Sequence, residues 1–161
     1  MMSKKLVAYF SVSGTTAAVA KTLAQASGAD LYEIKPEVPY TQEDLEWNIQ
    51  SARGSMEMQD KSFRPAIADK NANAEAYDVI FVGFPIWWYR APAIINTFLE
   101  SYDFSGKTIV LFATSGGAWF GQTVEGLKGS VSDTAVIIEG RVLNSRASES
   151  ELANWVANLG V

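Results

Sequence analysis

The chain has 161 residues, 48% of them hydrophobic and 19% charged, and its 13 basic residues against 18 acidic ones give a formal charge of −5. It contains no His and no Cys, which excludes disulfides, thiolate nucleophiles, Cys/His zinc sites and any Ser–His triad. The acidic balance argues against nucleic acid and against attraction to an anionic membrane, and the length fits one domain over residues 1–161.

The N-terminal residues lead straight into Leu6–Phe10, an apolar run of strand length with no signal-peptide pattern, so a cytoplasmic protein is expected. Thr15–Ser27 then stacks Val19 under Leu23 and Ala20 under Ala24, a helix that Gly28 can close in a left-handed conformation. Leu31–Ile34 is a shorter strand candidate. Thr41 and Asp44 resemble a capping box, and the spacing of Leu45, Ile49, Ala52 and Met56 predicts a helix behind it. The whole stretch from Glu37 to Ala66 reads as a solvated helix and loop; a cover for a pocket mouth or a dimer surface are its alternatives.

Val79–Phe84 is the second long apolar run; its extension to Tyr89 is far short of the roughly 20 residues a bilayer requires. Pro92 suits the first turn of a helix carrying Ile94, Ile95, Phe98 and Leu99. Thr108–Ala113 is a third run, Val124 and Leu127 mark a short helix, and Ala135–Ile138 is a fourth run. Ser148 with Glu151 opens a last helix that turns Leu152, Trp155, Val156 and Leu159 inward and ends at Gly160. Apolar runs without alternation suit strands buried on both faces. Their regular alternation with helices predicts an α/β doubly wound parallel sheet.

In such folds ligands bind beyond the carboxyl ends of the strands, so the loops after them carry the functional reading. The first, Ser11-Val12-Ser13-Gly14-Thr15-Thr16, enters a helix and is rich in hydroxyls. Helix N-terminal amides hold phosphate, and Gly14 lets the backbone approach it, although N-capping alone also explains Ser and Thr there. No GxxxxGK[ST] and no GxGxxG motif occurs. The second loop, Pro85-Ile86-Trp87-Trp88-Tyr89-Arg90, sets three aromatics in a row at a strand exit. Neighbours in extended chain point opposite ways, so one Trp can pack inward while the other lines the mouth. A flat ligand stacked on one of them accounts for the cluster better than packing alone. The third, Thr114-Ser115-Gly116-Gly117-Ala118-Trp119-Phe120-Gly121, offers hydroxyls and close backbone approach. Together they describe a planar ligand with a phosphate tail.

With Tyr9–Thr16, Gly83–Trp88 and Thr114–Gly117, the chain resembles the flavodoxin family of FMN-binding proteins, in its short-chain form, from Lys5 to the last helix. The resemblance implies a flavodoxin-like five-stranded parallel sheet of order 2-1-3-4-5, helices on both faces and FMN at the switch between the first and third strands, a fold for which flavodoxin is the standard example. It implies that Ser11, Ser13, Gly14, Thr15 and Thr16 hold the FMN phosphate. Pro85, Ile86, Trp87, Trp88 and Tyr89 would flank the ring system, with Trp87 or Trp88 stacking on it. Thr114, Ser115, Gly116 and Gly117 would meet the ribityl chain and the pyrimidine edge, with Phe120 and Gly121 as further contacts. Two features depart from the family: Ser-Gly-Thr replaces the common Thr-Gly-Asn in the first loop, and −5 is a mild charge for a dedicated electron shuttle.

The missing His and Cys fit this reading, because a bound flavin supplies the reactivity and the protein binds, orients and tunes it. No catalytic side chain and no metal is then needed. The expected function is redox chemistry through FMN, with either a partner protein or NAD(P)H and a small acceptor exchanging the electrons. An FMN-dependent NAD(P)H:quinone-type reductase and a non-catalytic binding module on the same fold are the alternatives. A monomer or weak homodimer is expected. Arg90, beside the aromatic loop, would favour an anionic reduced flavin if it approached the ring.

Overall fold

The computed structural model describes residues 4–45, 49–60, 62–87, 90–115, 119–143 and 147–161. Strands β1 (Lys5–Tyr9), β2 (Asp30–Glu33), β3 (Val79–Pro85), β4 (Thr108–Thr114) and β5 (Val136–Leu143) form one parallel sheet of order β2-β1-β3-β4-β5. Helices α1 (Thr15–Ser27), α2 (Arg53–Gln59), α3 (Ala93–Glu100), α4 (Thr123–Lys128) and α5 (Glu149–Leu159) complete the fold.

The three inner strands are buried on both faces, as their unbroken apolar runs require. Alternate residues feed two cores. Leu6, Ala8, Ile80, Val82, Ile109 and Leu111 point to the side covered by Ile94, Ile95, Phe98 and Leu99 of α3. Val7, Phe81, Val110 and Phe112 point to the side covered by Val19 and Leu23 of α1 and by Leu152, Trp155 and Val156 of α5. Gly83 of β3 lies opposite Phe112 of β4 in the register, and the Phe112 ring occupies the space a side chain at Gly83 would need.

The helix ends follow their local chemistry. Gly28 and Gly160 close α1 and α5 in the left-handed region, at φ 68° and 71°, where a Cβ is disfavoured. The Ser148 hydroxyl accepts from the Glu151 amide at 3.2 Å and caps α5. Pro92 is the N-cap of α3, one position before its first turn.

Two expectations are corrected. The helix predicted behind Thr41 does not run on to Met56. Thr41 and Asp44 do exchange reciprocal capping bonds, of 2.8 and 3.3 Å, and among the described residues they precede a 3₁₀ turn at Glu43–Leu45. The helix that follows begins at Arg53, and Ile49 and Met56, expected inward, are 48% and 58% exposed. Capping chemistry starts a turn, but with Ile49 and Met56 exposed the predicted apolar face gains little burial to propagate it. The last strand also extends to Leu143 and is largely accessible, because it forms the sheet edge. Its register shifts between Leu111 and Phe112, which leaves Gly140 as the extra residue; a Cβ there would fall 2.0 Å from the Leu111 carbonyl oxygen.

Strand order reverses between β1 and β3. From β1 the chain goes outward to β2, then crosses to β3 on the other side, which opens a crevice beyond the carboxyl ends of the two central strands.

Candidate functional site

A cavity of about 420 Å³ opens in that crevice, lined by Ser13 and Thr15 of the first loop, Pro85, Ile86 and Trp87 of the second, and Thr114 and Ser115 of the third. Three segments spread between Ser13 and Ser115 thus converge on one space. Leu143, at the end of β5, completes the lining; it was missed because the predicted fourth run stopped at Ile138.

The first loop turns on Gly14, whose φ of 95° is left-handed backbone that favours glycine. No side chain caps α1 behind it. The amides of the first helical turn have no intrahelical acceptor, so this end carries unspent N–H donors and the positive end of the helix dipole. Ser11 braces the loop by accepting the Gly14 amide at 3.2 Å. Ser13 and Thr15 are exposed at its rim, with their hydroxyl oxygens 3.4 Å apart. This donor set, free of acidic groups, fits a phosphate.

Thr16 is different. Its side chain is buried, and its hydroxyl pairs with that of Thr114 at 2.7 Å. The bond pins the start of α1 to the end of β4, so Thr16 locks two walls together rather than facing the cavity. Thr16→Val keeps the shape but leaves the Thr114 hydroxyl without this partner. It is expected to cost about 1–3 kcal/mol, read as a lower urea midpoint with unchanged slope.

The second loop is held at both ends of its described part. Ile86 donates its amide to the Thr114 carbonyl at 3.1 Å, which continues the β3–β4 pairing past the strands. Trp87 and Arg90 exchange backbone bonds of 3.0 and 3.1 Å. The Trp87 ring is half-buried and makes edge-to-face contacts with Phe10, at 5.7 Å, and Tyr40, at 5.4 Å. Trp87 therefore packs inward and also lines the cavity. Trp88, Tyr89, Gly116 and Gly117 lie outside the described residues.

Phe120 is fully buried in the core beneath α3, so its ring has no surface to offer a ligand. Gly121 follows it in a left-handed turn, at φ 56°. Arg90 directs its guanidinium to the neighbouring segment: Nη2 donates to the Met58 carbonyl oxygen of α2. Burial lowers its pKa from the ordinary value, followed by repulsion from Arg64.

The segment from Glu37 to Ala66 carries the expected helix and loop with most of its described residues exposed, but it is anchored at its base and holds one buried cluster. Its base is closed by backbone bonds from Glu37 to Ala66, at 2.9 Å, and from Ala68 to Lys35, at 2.8 Å. Within it, the Tyr40 hydroxyl donates to the Glu57 carboxylate. Arg53 donates to the same carboxylate at 2.8 Å and stands 3.9 Å over the Tyr40 ring. Glu57 is only 5% exposed. Burial first, then the Glu57 hydrogen bond, push the Tyr40 phenol far above its ordinary pKa and keep it a neutral donor. No pattern in the sequence announces this cluster, because its three members are 4 to 17 positions apart and meet only through the fold.

Among the described residues, no group of acidic side chains could hold a metal ion and no helix is long and apolar enough to cross a membrane.

A flavodoxin family model matches residues 4–159, and the chain belongs to that family. It is similar to a candidate flavoprotein from Bacteroides eggerthii, known from a crystal structure, with 48% identity, 99% of each chain covered and a TM-score of 0.92. A flavoprotein from Lactobacillus acidophilus, crystallised in complex with FMN, shares the fold at 22% identity, with 96% of this chain and 99% of that one covered and a TM-score of 0.68. An FMN-dependent NADH:quinone oxidoreductase 3 from Bacillus thuringiensis subsp. konkukian is 30% identical over 142 residues, 81% of this chain. The alignment spans only 60% of that longer relative.

Proposed function

We propose that the chain binds FMN across the ends of β1, β3 and β4 and works in redox chemistry through it. The observation that carries this is one cavity bounded by an uncapped helix N-terminus, an aromatic wall and the hydroxyl-bearing end of β4. The three surfaces match the three parts of the molecule: a phosphate, a planar ring and a polar chain between them.

Ser13, Gly14 and Thr15 hold the phosphate with α1 amides and hydroxyls, braced from behind by Ser11. Thr16 acts at one remove, through Thr114. Pro85, Ile86 and Trp87 form one side of the ring slot, and Thr114 and Ser115 meet the polar edge. FMN, when bound, supplies the capacity to take up and give away electrons, as single electrons or as hydride. The side chains exclude water from one face of the ring and orient it; none is required as acid, base or nucleophile.

Between a protein-to-protein shuttle and a reductase, the second is favoured by the quinone oxidoreductases among the relatives and by the mild surface charge. The donor is then NADH or NADPH and the acceptor a small quinone-like molecule, in a cytoplasmic setting.

Titrating the purified chain with FMN is expected to give a yellow complex and a raised melting temperature. Ligand at one hundred times its Kd stabilises by about 2.7 kcal/mol. A protein that retains no flavin after gel filtration and gains no stability from FMN excludes the flavin reading. If it binds, oxidation of NADH that depends on an added quinone identifies the reductase, and its absence returns the assignment to the shuttle.

A further inference from the structure

The aromatic wall of the cavity is braced from outside by a part of the chain the flavin reading does not use. Helix α2 reaches both ends of the paired Trp87–Arg90 backbone. At one end Glu57 holds the Tyr40 hydroxyl, and the Tyr40 ring meets Trp87 edge-on at an interplanar angle of 74°. At the other, the Met58 carbonyl accepts from the Arg90 guanidinium. Arg53 secures the arrangement by pairing with Glu57 and donating at 2.8 and 3.2 Å to the carbonyls of Val38 and Pro39. The excursion that carries these groups is closed at its base by backbone hydrogen bonds and by the bridge between Pro36 and Ile67, which tie its two ends together.

We propose that Glu57 and Tyr40 are positioning residues for the cavity, setting the orientation of Trp87 and through it the affinity for the bound ring system. A buried carboxylate is costly unless fully partnered. Here its partners are Arg53 and Tyr40, and the Tyr40 bond fixes a ring that meets Trp87 of the wall in an edge-to-face contact. An apolar residue at position 57 would fill the same space without directing Tyr40. The carboxylate's distinctive contribution is direction, carried by the hydrogen bond. The inference rests on the flavin reading for its effect on affinity, and on geometry alone for its effect on Trp87.

The test uses the full chain labelled with 5-fluorotryptophan, with the Trp87 and Trp155 signals assigned through Trp87→Phe and Trp155→Phe. Tyr40→Phe, which keeps the ring and removes only the hydroxyl, and Glu57→Leu are each expected to shift or split the Trp87 fluorine resonance in the ligand-free protein. Trp155, in the opposite core, reports general disturbance and should stay in place. Glu57→Gln retains an acceptor for Tyr40 and should restore the Trp87 signal toward its wild-type position. FMN affinity should fall about tenfold in Tyr40→Phe, the scale of one lost hydrogen bond.

An unmoved Trp87 resonance in Tyr40→Phe overturns the proposal, as does movement of Trp87 and Trp155 together. A moved resonance in a protein that does not bind FMN supports the positioning role and rejects the flavin reading. The two failures are therefore separable.

Discussion

Gly83→Ala is expected to destabilise the protein by about 3 kcal/mol or more, at the upper end of the cost of over-packing a core. A Cβ at this position would fall 2.1 Å from Cζ of Phe112 and 2.3 Å from its Cε2, inside the ring's own van der Waals space. Phe112 cannot swing away, because it is fully buried between the sheet and the helices α1 and α5. Nor can β3 retreat, since it is paired on both sides, with β1 and β4. The backbone of Gly83 itself is not at positive φ, so the cost arises from volume rather than from strain. That makes the effect specific to a pair. In the double variant Gly83→Ala/Phe112→Leu, the smaller side chain vacates part of the disputed space. The double variant should be less destabilised than the sum of the two single changes by more than 1 kcal/mol, on the scale of about 0.5–3 kcal/mol seen for residues in contact. Chemical denaturation of the four proteins measures this directly, and additivity would show that the ring relaxes more easily than its burial implies.

This pair shows where reading the sequence reaches and where it stops. Gly83 sits in an apolar run that announces a buried strand, and nothing local says that its missing side chain is filled by a phenylalanine 29 positions later. The strands and the helix Thr15–Ser27 were legible because burial on both faces and a 3.6-residue period are properties of the chain itself. The order 2-1-3-4-5 was not legible from periodicity; it came with the family resemblance. The helix expected at Leu45–Met56 failed for the complementary reason. Its capping bonds are local and do form, but with Ile49 and Met56 exposed its apolar period gains little burial, and the folded chain instead buries Gly54, Ser55, Glu57 and Met58.

The site divides in the same way. Loops that touch a ligand with backbone and hydroxyls betray themselves by composition, which is why Ser13, Thr15, Pro85, Ile86, Trp87, Thr114 and Ser115 come together at one cavity. Composition cannot separate a hydroxyl that faces the cavity from one turned to a neighbour, so Thr16 stood beside Ser13 in the sequence reading, although it is bonded to Thr114. Phe120 follows the glycine loop and by sequence belongs with it, yet in the fold it lies in the core. Tyr40, Arg53 and Glu57 lie in a stretch with no strand end, and its capping box at Thr41 and Asp44 does not point to them; only their mutual contacts give them a role.

Thr15→Glu is expected to abolish useful FMN binding while leaving the fold intact or slightly firmer. Thr15 is the first helical residue of α1, exposed at the cavity rim, and no acidic group occupies that first turn. A carboxylate there interacts favourably with the helix dipole, by about 0.3–1 kcal/mol, so the ligand-free protein should melt no lower than wild type. The same carboxylate stands where the proposed site places the phosphate. Two like charges about 4 Å apart repel by about 4 kcal/mol at the effective dielectric of a protein surface, which corresponds to a loss of affinity of nearly three orders of magnitude. Riboflavin isolates the cause, because it carries the same ring and side chain without the phosphate. Its affinity should be almost unchanged in Thr15→Glu, so the preference for FMN over riboflavin collapses. Thr15→Gln adds similar bulk without charge and should lose far less. The contrast between Glu and Gln should shrink in salt, as screening of an exposed charge requires. Titrations of the three proteins with both ligands, followed by quenching of flavin fluorescence, give the ratios. A Glu variant that still prefers FMN would place the phosphate elsewhere than the end of α1.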